Sequence, residues 1–449
     1  MGRQQRSKAL SIWTNGQRVG TWRLAPGGEA QLQYEATWVN APQGRPLSLS
    51  LPFTIGNSPL KGDRVHNFFD NLLPDSIEIR RRLAARFKTE STNAFALLQA
   101  LGRDCVGAVQ LLGEDEEPAG FDQIEGTPLI DSEVELYLRR AVAPGAVLGQ
   151  QDANDDDFRI SLAGAQEKTA LLWHNNQWMR PHGATPTTHI FKLPLGMVGA
   201  TRQIDMRTSV ENEWLCSRIL AAYGLPVAAS RIMDFGAQRV LVVERFDRRL
   251  HPSGQWWLRL PQEDFCQAAN VPPDRKYESD GGPGIRDICA ILQHSTNAQQ
   301  DLRTFMSAQI IYWMLGAIDG HAKNFSIQLL AQGRYQLAPL YDVLSFWPVA
   351  GGAANNIQTH KAKMAMAVWG KSRHYNLREI QHRHYNAMAA QCGLGADAED
   401  LLQPIIESTP AVIAQVRARL PPGFPKELAE PILQGLENAA GRLAQMPSH

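Results

Sequence analysis

The sequence has no excess of charge of either sign, no paired cysteine motif and no long apolar run. Lysine and arginine together number 45, as do aspartate and glutamate, which argues against a protein that holds nucleic acid by overall charge. The five cysteines are scattered and include no C-x-x-C pair, which disfavours a disulfide framework or a zinc site. The apolar run at 310–318 is far shorter than the roughly 18 residues that span a bilayer.

The N-terminal residues also lack the pattern of a targeting segment. Residues 1–13 are basic, but polar residues and not an apolar stretch follow them. We therefore expect a cytoplasmic protein with reduced thiols and no membrane partner.

The first part of the chain is expected to be rich in strands and then helical. Strand patterns at 9–13 and 19–24 flank Asn15-Gly16, a strong hairpin signal, and 31–39 could add a third strand. The later segments are a helical pattern at 67–100, a loop at 113–128, a helix at 131–141 and a linker at 142–157. The linker contains the run Asp155-Asp156-Asp157, which we interpret as a solvated loop, and we place a domain boundary near 145–155.

The middle of the chain alternates short strands with one helix. Strands are predicted at 159–162, 168–173, 188–193, 230–235 and 239–246. A helix is predicted at 209–223, where Thr208 and Glu211 have capping-box spacing and Gly224 is a suitable end.

Helical periodicity dominates from about residue 255, and a long apolar helix at 302–315 leads directly to Asp319. Strand-like stretches at 325–330 and 335–340 follow, and helices are expected over 377–446. We expect an α+β, bilobal fold in three parts. These are a β-rich subdomain with helices at 1–150, a nucleotide-binding small-lobe-like region at 151–250 and a helical lobe at 251–449. A β-rich lobe, a cleft and a helical lobe form the general plan of a kinase.

The spacing of Asp319 and Asn324, separated by Gly-His-Ala-Lys, is that of a kinase catalytic loop. Such a loop presents a carboxylate to the acceptor hydroxyl and an amide oxygen to magnesium. A second carboxylate, Asp342, follows the strand pair, where a magnesium ligand is expected. Taken alone, a D-x-x-x-x-N spacing is also compatible with a plain turn, and Asp342 with a helix cap.

The middle region offers the positive charge that phosphates require. Lys192 lies in an apolar strand, and the helix that follows could supply Glu211 or Glu213 as its ion-pair partner. Alternatively, Lys192 extends its ammonium group to solvent from an edge strand.

Two further segments could contact a nucleotide. The small residues of 161–168 would let backbone N–H groups approach a phosphate, although a plain hairpin fits them as well. Residues 243–246 join the two lobes, where a kinase hinge would meet adenine.

A basic segment at 360–385 carries six lysines and arginines against one acidic residue, Glu379. It is either a solvated basic face or a local contact to DNA phosphate.

Long strings of the chain resemble the HipA family, the kinase toxins of bacterial HipBA toxin–antitoxin pairs. The strings are ISLAGAQEKTALL at 160–172, the Lys192 strand, VERFDRR at 243–249, RLPQED at 259–264, KYESDGGPG at 276–284 and DGHAKNF at 319–325. The resemblance covers nearly the whole chain and is weakest in the first 50 residues.

The resemblance implies a fold related to eukaryotic-like and phosphoinositide-type kinases, with a β-rich N-terminal subdomain and an all-helical C-terminal domain. It implies that Asp319 is the catalytic base, that Asn324 and Asp342 bind magnesium and that Ser161 is autophosphorylated. The residues that it implies around ATP are Ala163, Gly164, Ala165, Gln166, Glu167, Lys168, Lys192, Val243, Glu244, Arg245, Phe246, His321, Lys323, Asn324, Tyr341 and Asp342.

The resemblance also implies partners. These are a HipB-like antitoxin, operator DNA bound through the antitoxin complex, and an aminoacyl-tRNA synthetase substrate, notably glutamyl-tRNA synthetase. Phosphorylation of that substrate would halt translation and cause dormancy and persistence. The loop Lys371-Ser372-Arg373 lies where toxins of the family touch DNA.

Two other functions stay open from the sequence. The catalytic-loop string resembles that of phosphoinositide kinases as much as that of protein kinases, so a small-molecule or lipid kinase is an alternative. The second alternative is a catalytically silent co-repressor, which the presence of Asp319, Asn324, Asp342 and Lys192 together disfavours.

Overall fold

The computed structural model describes residues 8–142, 161–164, 166–199 and 203–448. The expected domain boundary near 145–155, the run Asp155-Asp156-Asp157 and Ala165 of the predicted phosphate loop lie outside the described residues. Within these ranges a β-rich region, a second sheet and a helical region follow one another along the chain.

The first region is built on an antiparallel sheet. Its strands are β1 (Lys8–Thr14), β2 (Gln17–Leu24), β3 (Ala30–Tyr34), β4 (Leu60–Lys61) and β5 (Gln110–Gly113), in the spatial order β4-β3-β2-β1-β5. The predicted β1–β2 hairpin is confirmed, and Asn15 and Gly16 have φ of 47° and 76°, as a two-residue turn with two left-handed positions requires. The predicted third strand is wrong beyond Tyr34, because residues 36–39 form a short helix.

Helices cover one face of this sheet. They are α1 (Ala36–Val39), α2 (Asp63–Asp70), α3 (Ile77–Arg86) and α4 (Ala94–Leu101), which confirms the helical pattern predicted at 67–100. Trp22 of β2 stacks on Phe69 of α2, with ring centroids 3.9 Å apart. This buried contact fixes α2 to the sheet.

The second sheet occupies the middle of the chain. Its elements and the neighbouring hairpin are β6 (Gly126–Leu129), α5 (Asp131–Val142), β7 (Lys168–His174), β8 (Gln177–Pro181), β9 (His189–Lys192), β10 (Gly196–Val198), β11 (Ile204–Met206), α6 (Ser209–Ala222), β12 (Ser230–Phe235) and β13 (Gln238–Glu244). The sheet order is β12-β13-β9-β7-β8-β6, and β10 pairs with β11. Leu138 of α5 packs in the same core as Leu171 and Trp178, so α5 belongs by packing to this sheet. The strand predicted at 159–162 is wrong for Ser161 and Leu162, and its first half lies outside the described residues.

Helix α6 confirms the predicted helix but not its predicted cap. Thr208 has φ −96° and ψ 21° and not the extended conformation of a capping residue, and its side chain makes no capping bond. Glu211 accepts a hydrogen bond from Arg239 instead. Gly224, with φ 82°, ends the helix as predicted.

The remainder is mostly helical, with short strands between the helices. The helices are α7 (Phe265–Ala268), α8 (Ile285–Leu292), α9 (Ala298–Leu315), α10 (His382–Gln391), α11 (Glu399–Arg417) and α12 (Lys426–Gln445). The strands are β14 (Arg248–Leu250), β15 (Trp257–Arg259), β16 (Gln262–Asp264), β17 (Ser326–Leu329), β18 (Tyr335–Leu337), β19 (Lys363–Trp369) and β20 (Arg373–Asn376). The predicted α+β class, with a β-rich N-terminal region and a helical C-terminal part, is confirmed.

Helix α9 forms the centre of the helical region. From Phe305 to Leu315 almost every residue is buried, including Tyr312 and Trp313, as expected of a helix that is apolar on all sides. The loop that follows α9 is thereby held against the middle of the molecule. No helix among the described residues has both the length and the apolar character needed to cross a membrane.

Candidate active site

An open cleft of about 1290 Å³, including its mouth, lies where the three regions meet. Most of the residues predicted from the sequence line it: Ala163, Gly164, Gln166, Lys168, Lys192, Val243, Glu244, Arg245, Phe246, Asp319, His321, Lys323, Asn324, Tyr341 and Asp342.

The loop after α9 closes on itself. Gly316 ends the helix with φ 59°, and a Cβ there would come within 2.5 Å of the Phe346 ring, so a tight turn and close packing both require glycine. The Nδ2 atom of Asn324 donates to the backbone oxygen of Asp319 over 2.9 Å. This bond makes the predicted five-residue spacing a compact loop with both functional side chains at the cleft.

The carboxylate of Asp319 lies at the mouth of the cleft and is exposed. The Tyr277 hydroxyl donates to its Oδ1 over 2.6 Å. The ring of His321 stands edge-on to the Tyr277 ring, with centroids 5.0 Å apart. Because Oδ1 is engaged, Oδ2 is the oxygen that is left to accept a proton from a ligand.

Lys192 joins two carboxylates from different regions. Its Nζ lies 2.6 Å from Oε1 of Glu213 and 2.8 Å from Oδ1 of Asp342. Of the two predicted partners, Glu213 is therefore the correct one, and Glu211 pairs with Arg239. The Lys192 side chain is 8% exposed, so the alternative of an ammonium group that extends to solvent is wrong.

The charged states of Lys192 and Asp342 depend on each other. Burial by itself raises the pKa of Asp342, but the ammonium groups of Lys192 and Lys168 more than offset that effect and hold the pKa of this carboxyl well below its usual range. Burial lowers the pKa of Lys192, but Asp342 and Glu213 together raise it above its usual range. Lys192 and Asp342 are therefore both charged at neutral pH.

The segment predicted to cover phosphates is anchored at both ends. Ser161 donates from Oγ to the backbone oxygen of Leu72 over 2.7 Å and is only 1% exposed. Gly164 has φ 104°, and the ammonium group of Lys168 donates to the backbone oxygen of Ala163. Burial and the charge of Lys192 lower the pKa of Lys168 to about 8. The anchored turn thus brings a second, partly buried lysine to the cleft.

Lys323 ties the loop after α9 to the first region. Its Nζ lies 2.7 Å from Oδ1 of Asn71 and 2.9 Å from Oδ2 of Asp264. Asp75 lies 3.8 Å from the same nitrogen and also pairs with Lys276 at 2.8 Å. Lys323 lines the cleft as predicted, but its charge is already matched by these carboxylates.

The connection between the sheet and the helical region forms one wall of the cleft. Phe246 and Tyr341 face each other with ring centroids 5.9 Å apart and provide an apolar surface for a flat ring. Arg245 lies at the cleft, but its guanidinium group is buried in an ionic cluster with Asp247 and Asp104. Its side chain therefore stabilises the connection.

Five of the predicted residues do not line the cleft, and Ser161, described above, is one of them. Glu167 forms an ion pair with Arg82 of α3 and does not line the cleft. Lys371 and Ser372 are exposed in the turn between β19 and β20, and Arg373 is exposed at the start of β20. Ala165, a further predicted residue, lies outside the described residues, as stated above.

Sequence reasoning missed several residues that complete the site. Asn71 and Asp75 lie outside the strings that carry the resemblance, and no local motif marks them. Lys276 and Tyr277 lie in the string KYESDGGPG, to which the resemblance assigns no role. That this string is among those that resemble the family was the one signal for a functional role of these two residues.

Two family models match the chain. One, described as the HipA-like C-terminal domain, matches residues 160–413, and the other, described as the HipA N-terminal domain, matches residues 10–112.

Relatives similar to this chain carry kinase names. A putative kinase, Y4mE, of Sinorhizobium fredii is 33% identical over 414 residues, which cover 91% of this chain and 92% of the relative. The serine/threonine-protein kinase toxin HipA of Shewanella oneidensis is 27% identical, with 87% of this chain and 85% of the relative covered.

A solved structure has a similar fold. It is the complex of HipA and HipB from Shewanella oneidensis with its operator DNA. The match has a TM-score of 0.77 and 22% sequence identity, and it covers 97% of each chain.

Proposed function

The chain belongs to the HipA family of protein kinases, and on that premise we propose that it is an ATP- and magnesium-dependent serine/threonine kinase that serves as the toxin of a toxin–antitoxin pair. The observation that carries this proposal is the meeting of Asp319, Asn324, Asp342 and Lys192 in one cleft. Each supplies a group that phosphoryl transfer needs, namely a base, oxygen ligands and positive charge.

Asp319 is the proposed general base. Its Oδ2 takes the proton of the acceptor hydroxyl, while the hydroxyl oxygen bonds to the γ-phosphorus of ATP and the bond from that phosphorus to the bridging oxygen breaks. ADP leaves with the electron pair of that bond. The exposed position of Asp319 at the mouth supports this role, because a protein acceptor must reach the base from solvent.

Asn324 and Asp342 are the proposed magnesium ligands. Asn324 uses Nδ2 for its bonds to the backbone oxygens of Asp319 and Asp342, so neither bond occupies its amide oxygen. Asp342 pairs with Lys192 through Oδ1, and that pair does not use Oδ2. These hard oxygens fit magnesium, which would neutralise charge on the phosphates when bound.

The rest of the cleft fits a nucleoside triphosphate. Phe246 and Tyr341 offer a flat apolar wall for a base, and Lys192 and Lys168 offer charge for phosphates. Nδ1 of His321 is buried and has no hydrogen-bond partner among the described residues, which leaves it available to a ligand. Backbone groups around Gly164 are proposed to approach the phosphates.

The finer biology is proposed from family membership. We take a HipB-like antitoxin and operator DNA as partners and co-repression of the operon as a second role, since the solved relative of similar fold is a complex with HipB and operator DNA. The exposed residues Lys371, Ser372 and Arg373 are the proposed DNA contact. The proposed substrate is an aminoacyl-tRNA synthetase, in particular glutamyl-tRNA synthetase, whose phosphorylation would halt translation and induce persistence.

We also keep the division into functional parts at 1–150, 151–250 and 251–449 as a proposal. Strand β6 and helix α5 lie before residue 150, but they pack with the second sheet. If the parts are divided by packing, the first part therefore ends after β5. Self-inactivation by phosphorylation of Ser161 is proposed as the regulation of the enzyme.

The kinase assignment is tested with radiolabelled ATP. Wild-type chain and Asp319→Asn are incubated with and without magnesium, with casein and with phosphatidylinositol vesicles as acceptors. We expect label in protein, including the chain itself, only with magnesium and the wild type. General-base contributions are about 10²–10⁴ in rate, so Asp319→Asn should fall by that factor with ATP binding retained.

Two outcomes contradict the proposal. Absence of Asp319-dependent label in any protein would remove the protein-kinase assignment. Label confined to the vesicles would identify a lipid kinase instead.

A further inference from the structure

Tyr277 makes the closest contact to the proposed base. Its hydroxyl donates to Oδ1 of Asp319 over 2.6 Å, a bond strengthened by the negative charge of the acceptor. Burial and the nearby charge of Asp319 raise the pKa of Tyr277 far above its usual range. The hydroxyl therefore keeps its proton and stays a donor at every pH at which the enzyme would work.

The segment around Tyr277 is held independently of that bond. The backbone oxygen of Tyr277 accepts hydrogen bonds from the N–H groups of Asp280 and Gly282 over 3.0 and 2.9 Å. A Cβ at Gly282 would lie 2.1 Å from the backbone oxygen of Arg275, so only glycine fits this turn. The edge-on contact with His321 fixes the ring from the other side. The backbone turn and the contact with His321 therefore hold the Tyr277 ring, and with it the hydroxyl, in position.

The Asp319 side chain has little else to hold it. Its backbone is fixed by Asn324, as described above, but a carboxylate at the exposed mouth can rotate about its side-chain bonds. Across the described ranges, the Tyr277 hydroxyl provides the one hydrogen bond to this carboxylate. Without it, the base would sample several orientations and be solvated by water.

We propose that Tyr277 is a positioning residue whose hydroxyl holds Oδ1 of Asp319, so that Oδ2 faces the acceptor hydroxyl. The inference rests on the proposed kinase function and assigns to that reaction a residue outside the D-x-x-x-x-N loop. It follows that transfer, and not nucleotide binding, depends on the hydroxyl of Tyr277.

The same contact has one competing explanation. A hydroxyl 2.6 Å from the base also stands where an acceptor hydroxyl could bind, and it would then block the site. The edge-on contact with His321 opposes this explanation, because the Tyr277 ring would lose that contact on leaving. The two explanations predict opposite changes in rate when the hydroxyl is removed.

The test compares Tyr277→Phe with Tyr223→Phe. The control loses a hydroxyl of similar bond length, 2.7 Å to Thr409, at a site between helices α6 and α11. Initial rates are measured at saturating ATP with whichever protein acceptor the wild type labels fastest, and ATP affinity is measured by calorimetry. Hydrogen bonds to charged groups correspond to about a tenfold to hundredfold change, so kcat of Tyr277→Phe should fall by that factor with ATP affinity unchanged. Tyr223→Phe should match the wild type.

The split between kcat and ATP affinity separates positioning from a general loss of structure. A disrupted cleft would weaken ATP binding as well as transfer, whereas loss of the Tyr277 hydroxyl alone should lower kcat and leave ATP affinity unchanged.

Failure of the positioning role of Tyr277 can be distinguished from failure of the proposed kinase function. An active wild-type enzyme together with an unchanged kcat in Tyr277→Phe would overturn the positioning role. A faster Tyr277→Phe enzyme would overturn it in favour of a blocking hydroxyl. A wild-type chain without Asp319-dependent transfer would instead remove the kinase function itself.

Discussion

The ammonium nitrogen of Lys192 lies 2.8 Å from Oδ1 of Asp342, and this contact joins strand β9 of the second sheet to the loop after β18 in the helical region. Asp342 has φ 61°, a left-handed conformation that residues other than glycine rarely adopt. Such a conformation persists only where the surroundings impose it, and it is often found at functional sites. The ion pair thus spans the cleft and holds the proposed metal ligand in an uncommon backbone position.

Replacement of Asp342 by asparagine should remove the magnesium dependence of ATP binding. The change keeps the size of the side chain but removes the charge that attracts a hard cation. Loss of even an outer-shell partner of a metal costs about 10–100-fold in metal affinity, so at least tenfold is expected here. Calorimetry of ATP binding at several magnesium concentrations measures the effect.

The matched control is Asp205→Asn, an exposed aspartate paired with Arg207 in the β10–β11 hairpin. It should keep the wild-type magnesium response. An Asp342→Asn protein with that same response would exclude Asp342 as a ligand.

The site could be predicted from the sequence where its parts are local in the chain. Asp319 and Asn324 are joined by one compact loop, so their short spacing was a usable signal, although a plain turn fitted the spacing as well. The partner of Lys192 was left open between Glu211 and Glu213, because both lie in the buried first turns of α6. Arg239 of strand β13 pairs with Glu211, and this contact directs Glu211 away from Lys192.

Long-range contacts could not be predicted in this way. Asn71 and Asp75 reach Lys323 from about 250 residues earlier in the chain. The failed Thr208 cap has the same origin, since the path of the chain into α6 is set by tertiary packing and not by capping preference.

ATP affinity should depend on the charge of Lys168. Because burial and Lys192 lower the pKa of Lys168 to about 8, its ammonium group loses its proton as pH rises through that value. Phosphates favour the charged form, so ATP affinity should fall between about pH 7 and pH 9, by at most about tenfold per pH unit. Calorimetric titrations across this range should show the fall in the wild type and a flatter response in Lys168→Met. Lys61→Met, at an exposed lysine of β4, is the control and should behave as the wild type.

The stability of the protein should fall with rising pH because of Glu263. Burial raises the pKa of this carboxyl to about 8, and Leu49 donates its N–H to Oε1 over 2.8 Å. The contribution of the protonated group is complete below its unfolded pKa of about 4.5 and is lost as pH rises through about 8. With about 1.4 kcal/mol per pH unit, the loss is at most roughly 4–5 kcal/mol.

Glu263→Gln provides the comparison. Its amide can accept from Leu49 and donate to Ser48, and it carries no titrating proton. Denaturant unfolding at pH 5 and pH 9 should therefore show a smaller difference for Glu263→Gln than for the wild type. Equal differences in the two proteins would mean that Glu263 does not titrate in this range.

Phosphorylation of Ser161 should displace the loop that begins with it. The hydroxyl is buried against the backbone oxygen of Leu72, and the Ser161 N–H donates to the backbone oxygen of Asp104 over 3.1 Å. A phosphate adds about −1.5 to −2 charge and would face a carbonyl oxygen, so it cannot remain in this pocket. The anchored turn around Gly164 would leave with it, and the proposed phosphate contacts would be lost.

Ser161→Ala separates the role of the phosphate from that of the hydroxyl. The variant should lose only about 1 kcal/mol of stability with the bond to Leu72, and it should keep its activity during incubation with ATP while the wild type inactivates. Mass spectrometry after incubation identifies the phosphorylated residue, and Asp319→Asn is the control that should stay unmodified. Weak ATP binding by the wild type phosphorylated at Ser161 supports displacement of the loop. Full ATP affinity in that phosphorylated protein would show that the loop keeps its place and that inactivation has another cause.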